Sequence, residues 1–63
     1  MSNATIEWSE EVLEGELRIR GYHQELDHTF AERVSLIGTS RDKARAVIVS
    51  HLEQKFADKL AGG

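Results

Sequence analysis

From Arg41 to Lys59 the chain contains neither proline nor glycine, and this unbroken run constrains the fold more than any other feature. Gly38, followed by Thr39 and Ser40, has the form of a stop and then a helix cap. Thr39 with Asp42 three residues on resembles a capping box in which Asp stands for the usual Glu or Gln, and Ser40 is the other candidate cap. At about 100° per residue, Ile48, Val49, Leu52, Phe56 and Leu60 fall within an arc of about 120°, the stripe of a helix with one face against a core. Ser50, His51, Glu53, Gln54 and Asp58 lie outside that arc. Lys55 and Lys59 come near the end, where cations oppose the negative pole of the helix dipole. The spacing predicts an amphipathic helix over residues 39–60, ending at Gly62-Gly63.

The middle of the chain changes period. In ELRIRGY, Leu17 and Ile19 alternate with Glu16, Arg18 and Arg20; in TFAERVSLIG, Phe30, Val34 and Leu36 alternate with Ala31, Arg33 and Ser35. Period-2 alternation predicts two strands, each with one buried face. Inward positions are odd in the first and even in the second, so an antiparallel pairing that shares a face must match residues whose numbers sum to an odd value. Leu17 with Leu36 and Ile19 with Val34 satisfies this, and a one-residue slip would turn one set outward. The HQELDH segment between them reads as a turn built around Asp27. Gly21, inside the first strand, points to a bulge or a close backbone approach, with Phe30 as its cover. The front segment TIEWSEEVLEGE has two readings: a third strand through Trp8 that runs on to Leu13, or a short helix capped by Ser9.

The fold class expected is therefore α+β: a small antiparallel sheet of two or three strands (β-β-β-α or β-β-α) with one C-terminal helix on one face. At 63 residues the chain makes a single domain, 1–63, in which 1–4 read as a disordered or tag-like start and 61–63 as a frayed end. A domain so small buries only about 60% of its unfolded surface and has little stability in reserve. With no cysteine, disulfides and Cys-based zinc sites are excluded, which leaves close packing, a His/carboxylate metal or association with another chain. Ser2-Asn3-Ala4 resembles the remnant of an expression tag. The N-terminus has neither the basic start nor the apolar centre of a signal peptide, and no apolar run approaches the ~20 residues of a membrane span, so a cytoplasmic location is expected.

The formal charge of −3 conceals an asymmetry: residues 1–16 carry five Glu and no Lys or Arg, whereas the remainder has eight basic against six acidic residues. The acidic front is a solvated face or a surface for a basic partner. No nucleophile elbow, phosphate-cradling glycine loop or dinucleotide fingerprint is present, and one helix on a small sheet leaves little room for a pocket, so no enzymatic activity and no cofactor are expected. His23, Glu25, Asp27 and His28 would gather on an extended strand, a weak metal arrangement beside the simpler reading of a solvated turn, and no metal is assigned. His51 reads as a surface residue that would make association pH-dependent at an interface.

Basic residues form the other pattern. Arg41, Lys43 and Arg45 surround a helix N-terminus, and Arg18, Arg20 and Arg33 lie on the two strands, so one basic patch would serve phosphates there. Strand, strand and a helix beginning Ser40-Arg41-Asp42-Lys43-Ala44-Arg45 is similar to the last part of double-stranded RNA-binding domains, whose final helix also starts with Ser and Lys residues touching phosphates. The likeness implies phosphate contact at this helix start. It lacks the family's first helix and has Arg41-Asp42 in place of a Lys pair, so membership is not assigned. Trp8, Tyr22, Val47 and His51 are the expected contacts to another chain, because the single core has no obvious room for them and aromatic residues make good interface anchors. The sequence reading is a small protein–protein interaction module of the size bacteria and phages make as regulators or inhibitors, a homodimer with an unidentified protein partner; the alternative is nucleic-acid binding through the six basic residues.

Overall fold

The computed structural model describes residues 6–62. Three antiparallel strands, β1 (Ile6–Leu13), β2 (Glu16–His23) and β3 (His28–Ser35), form a sheet in the order β1-β2-β3, and α1 (Arg41–Gly62) follows. This is the β-β-β-α architecture, with the front segment a full third strand through Leu13. Residues 1–4 lie outside the described residues, and Ala61 and Gly62 are helical.

Local chemistry explains each boundary. Glu14 and Gly15 both hold positive φ, 54° and 76°, as the tight two-residue turn between β1 and β2 requires. Gln24–Asp27 turns the chain into β3, with the Asp27 N–H donating to the Gln24 carbonyl at 3.2 Å and Asp27 itself left-handed at φ 50°. Gly38, at φ 79°, allows the sharp entry to α1. Ser40 is the cap: its hydroxyl oxygen accepts from the Lys43 N–H at 3.1 Å, satisfying a backbone donor that the helix cannot.

The register differs from expectation by two residues. Leu17 pairs with Val34 and Ile19 with Glu32, where the alternation suggested Leu36 and Val34. The odd sum is kept, so every side chain stays on its expected face. The shift follows from the tighter turn, which adds the pair His23–His28 to the ladder and lets the Leu36 N–H donate to the Gly15 carbonyl at 2.9 Å.

The core lies between the sheet and α1. Leu17, Ile19, Ala44, Ile48 and Leu52 are buried together, with Phe30, Val34, Leu36 and Val49 packed against them. Phe56 is also buried and closes one end in an aromatic cluster, its ring centroid 4.9 Å from Phe30 and 5.3 Å from His23. Each buried aliphatic or aromatic side chain contributes about 1.5–3 kcal/mol. Leu60 departs from its predicted stripe and is 53% exposed. A helix of 22 residues is about 33 Å long, whereas strands of eight residues reach about 26 Å, so the last turn passes beyond the sheet.

His23 is the other departure. It is 1% exposed and its Nδ1 accepts the Leu26 N–H at 3.2 Å, which fixes the turn from inside the core. It therefore does not converge with Glu25 and Asp27, and among the described residues no group of three His or acidic side chains is placed to hold a metal. Among the same residues, no helix is long and apolar enough to cross a membrane.

Candidate functional site

A single helix covers a single face, and it does not cover that face evenly. α1 packs on β2 and β3 but not on β1. The helix-side residues of β1 are Ile6, Trp8, Glu10 and Val12, set by their pairing with His23, Gly21, Ile19 and Leu17. Of these, Trp8 is 38% and Val12 44% exposed. Leu13, on the opposite face, is exposed as well.

Trp8 lies flat over Gly21. A methyl group at Gly21 would stand 2.7 Å from Trp8 Cζ3, closer than carbon atoms pack, so the glycine is the space the indole occupies. The sequence suggested a bulge or a close backbone approach, with Phe30 as cover; the strand is regular there, Phe30 is the partner on the other side, and what approaches and covers the glycine is the Trp8 side chain.

Glu10 connects the uncovered strand to the helix. Arg45 donates to both its carboxylate oxygens, from Nε to Oε1 and from Nη2 to Oε2, each at 2.8 Å, and Arg41 Nη2 donates to Oε2 at 2.7 Å. This is the bidentate geometry that makes arginine–carboxylate pairs directional. The hydrogen bonds from Arg45 and then Arg41 hold the Glu10 carboxyl down at about 2, and the same contact pushes Arg45 up. No feature of the sequence singled out Glu10 from the other acidic residues at the front; only the register, which seats it beside the first turn of α1, does so.

The basic residues consequently divide. Arg41 and Arg45 are engaged with Glu10, and Arg45 also with Asp42 at 3.0 Å. Lys43 is exposed on the first turn. Arg18, Arg20 and Arg33 sit on the opposite, helix-free face, where Arg18 and Arg33 are direct cross-strand neighbours and Arg20 lies between Ser9 and Ala31. The small side chains of Ser9 and Ala31 leave a shallow depression of about 420 Å³ among these arginines. Arg18 reaches Glu16 at 3.3 Å, and its Nε is buried without a hydrogen-bond partner among the described residues. Glu7, Glu11 and Glu16 share this face, so its charge is polarised rather than uniformly positive.

The four residues expected to contact another chain lie on three surfaces. Trp8 is on the helix side of β1. Tyr22 is on the open sheet face, where its hydroxyl donates to Asp27 Oδ1 at 2.7 Å, and that bond to a carboxylate raises its ionisation above the ordinary tyrosine range. Val47, 69% exposed, and His51 lie on the outer side of α1. His51 Nδ1 meets Glu32 at 2.9 Å, with Lys55 Nζ 4.0 Å from the same oxygen.

Comparison of the chain with protein families, curated proteins and solved structures finds no match.

Proposed function

We propose that this chain is a small non-enzymatic interaction module of the cytoplasm, a homodimer that regulates or inhibits a larger protein. The observation that carries the reading is the bare condition of β1. Three large apolar residues, Trp8, Val12 and Leu13, are exposed on one edge strand that the body of α1 does not cover. A domain with so little surface to bury gains from covering them with a second chain. Aromatic residues such as Trp8 supply much of the energy when such surfaces meet. Sedimentation over a dilution series from micromolar to millimolar tests the reading: a concentration-dependent dimer is expected, and a monomer throughout removes it.

A second reading, nucleic-acid binding, is favoured by a separate observation, the gathering of Arg18, Arg20 and Arg33 on the helix-free face. Like charges directly opposite on a sheet are unfavourable, and a phosphate over Arg18 and Arg33 would relieve them. Arg41 and Arg45 are already engaged by Glu10, and Arg45 also by Asp42, so Lys43 is what remains of the helix-start patch. The test is a salt titration of binding to mixed DNA and RNA. Arg20→Ala and Arg33→Ala should each lower the slope of log K against log salt by about one, and absence of binding at low salt disposes of the reading.

A further inference from the structure

We infer that two copies of this chain join through β1, edge to edge and antiparallel about a two-fold axis at Glu10, forming one continuous six-stranded sheet. The inference rests on the homodimeric reading above and specifies its interface.

The direction of the free backbone is set by the first turn. Leu13 and Glu16 flank a two-residue turn, so they exchange hydrogen bonds with each other, and alternate pairs, Glu11–Arg18, Ser9–Arg20 and Glu7–Tyr22, do the same. The N–H and C=O groups of Trp8, Glu10 and Val12 therefore point away from the sheet, toward the outer edge. These are also the helix-side residues of β1, so the edge that needs hydrogen-bond partners belongs to the residues with uncovered apolar surface.

Among the registers available to a two-fold pairing, the one with Glu10 on the axis brings together the two exposed apolar residues of the helix side. With Glu10 on the axis, Trp8 faces the partner's Val12 and Val12 the partner's Trp8, an aromatic–β-branched pair that stabilises sheets. On the open face, Ser9 meets the partner's Glu11 and Glu7 the partner's Leu13, so no like charges stand directly opposite. Moving the axis to Ser9 would set Glu7 against the partner's Glu11, and moving it to Glu11 would set that residue against itself. The two Glu10 carboxylates do meet at the axis, but each is already clamped by its own Arg41 and Arg45. Pairing adds about six backbone hydrogen bonds.

The helices do not obstruct this arrangement. α1 lies over β2 and β3, and with strands about 4.8 Å apart the two helix axes would stand about 19 Å from each other, twice the distance of packed helices. The other edge is less suited. On β3, Phe30 and Val34 are already half-covered by α1, and none of the exposed large apolar residues lies on that strand.

The test is amide hydrogen exchange by NMR on the unmodified chain at dimeric and at dilute concentration, beside sedimentation of Val12→Pro and Val12→Lys. Proline at Val12 removes an outward N–H that the monomer does not use, a position edge strands tolerate; lysine keeps the N–H but places a charge opposite Trp8. The expected result is slow exchange at Trp8, Glu10 and Val12 that accelerates on dilution, and at least a tenfold weaker dimer in both variants with unchanged far-UV circular dichroism. A dimer whose Trp8, Glu10 and Val12 amides exchange as fast as in the dilute monomer overturns β1 pairing while leaving the homodimer standing. A monomer at every concentration overturns both.

Discussion

Replacing Gly21 with alanine is the most direct probe of how β1 is held. The added Cβ would stand 2.7, 3.1 and 3.2 Å from three atoms of the Trp8 ring, so the ring must lift. An indole buries up to roughly 250 Å², and with 38% of its surface open Trp8 has roughly 150 Å² covered. Losing about half of that at 25 cal/mol per Å² costs about 2 kcal/mol. Alanine returns about 0.5–1 kcal/mol, because glycine within a strand loses more backbone freedom on folding. The net expectation is a destabilisation of about 1 kcal/mol, a fall in Tm of about 4–8 °C for a domain of this size. Trp8 is the only tryptophan, so its emission reports the displacement directly and should shift to the red. The decisive measurement is the double-mutant cycle at concentrations that keep the chain monomeric. With Trp8→Ala already present, Gly21→Ala should turn stabilising by about 0.5–1 kcal/mol. An equal loss in both backgrounds, with emission unmoved, would refute the account of this contact.

Three further outcomes are expected. Glu10 has its carboxyl lowered from the usual 4.5 to about 2, so its contribution to stability is complete above pH 4.5 and disappears as pH falls toward 2; Glu10→Gln should flatten the stability–pH curve in that window, as followed by thermal melts at each pH. Glu14 bears a side chain in the left-handed region at φ 54°, and Glu14→Asn should raise stability by about 0.5–1 kcal/mol in denaturant titration, because asparagine visits that conformation more readily. Leu52 is fully buried, and Leu52→Ala should cost about 2–5 kcal/mol; in a domain with about 3–5 kcal/mol in total, that is a loss of the cooperative melt.

The helix and strands β2 and β3 were legible because their signals are local. Period and capping depend on neighbours a few residues away, and burial of Leu17, Ile19, Ile48, Leu52 and Phe56 follows from which side of a strand or helix they occupy. His23 was legible in principle: it continues the odd-numbered inward series of Leu17, Ile19 and Gly21, but its polarity weighed toward the turn. The β1–β2 turn carried a weak signal, since Glu-Gly lacks the asparagine or aspartate that usually marks such a hairpin. Trp8 and Val12 could be recognised as apolar residues without an evident home, but not as members of one edge.

The order of residues alone determined the types of β2, β3 and α1, the parity of their pairing and the face their side chains take, because those depend on pleat and helical pitch, whereas it left the front segment between strand and short helix. Tertiary structure decided the two-residue register, the seat of Trp8 over Gly21 and the capture of Arg41 and Arg45 by Glu10, which splits an apparent basic patch into two surfaces. Those contacts join residues 13 to 35 positions apart in the chain, and no local periodicity encodes which of several parity-equivalent partners a strand or a helix will meet.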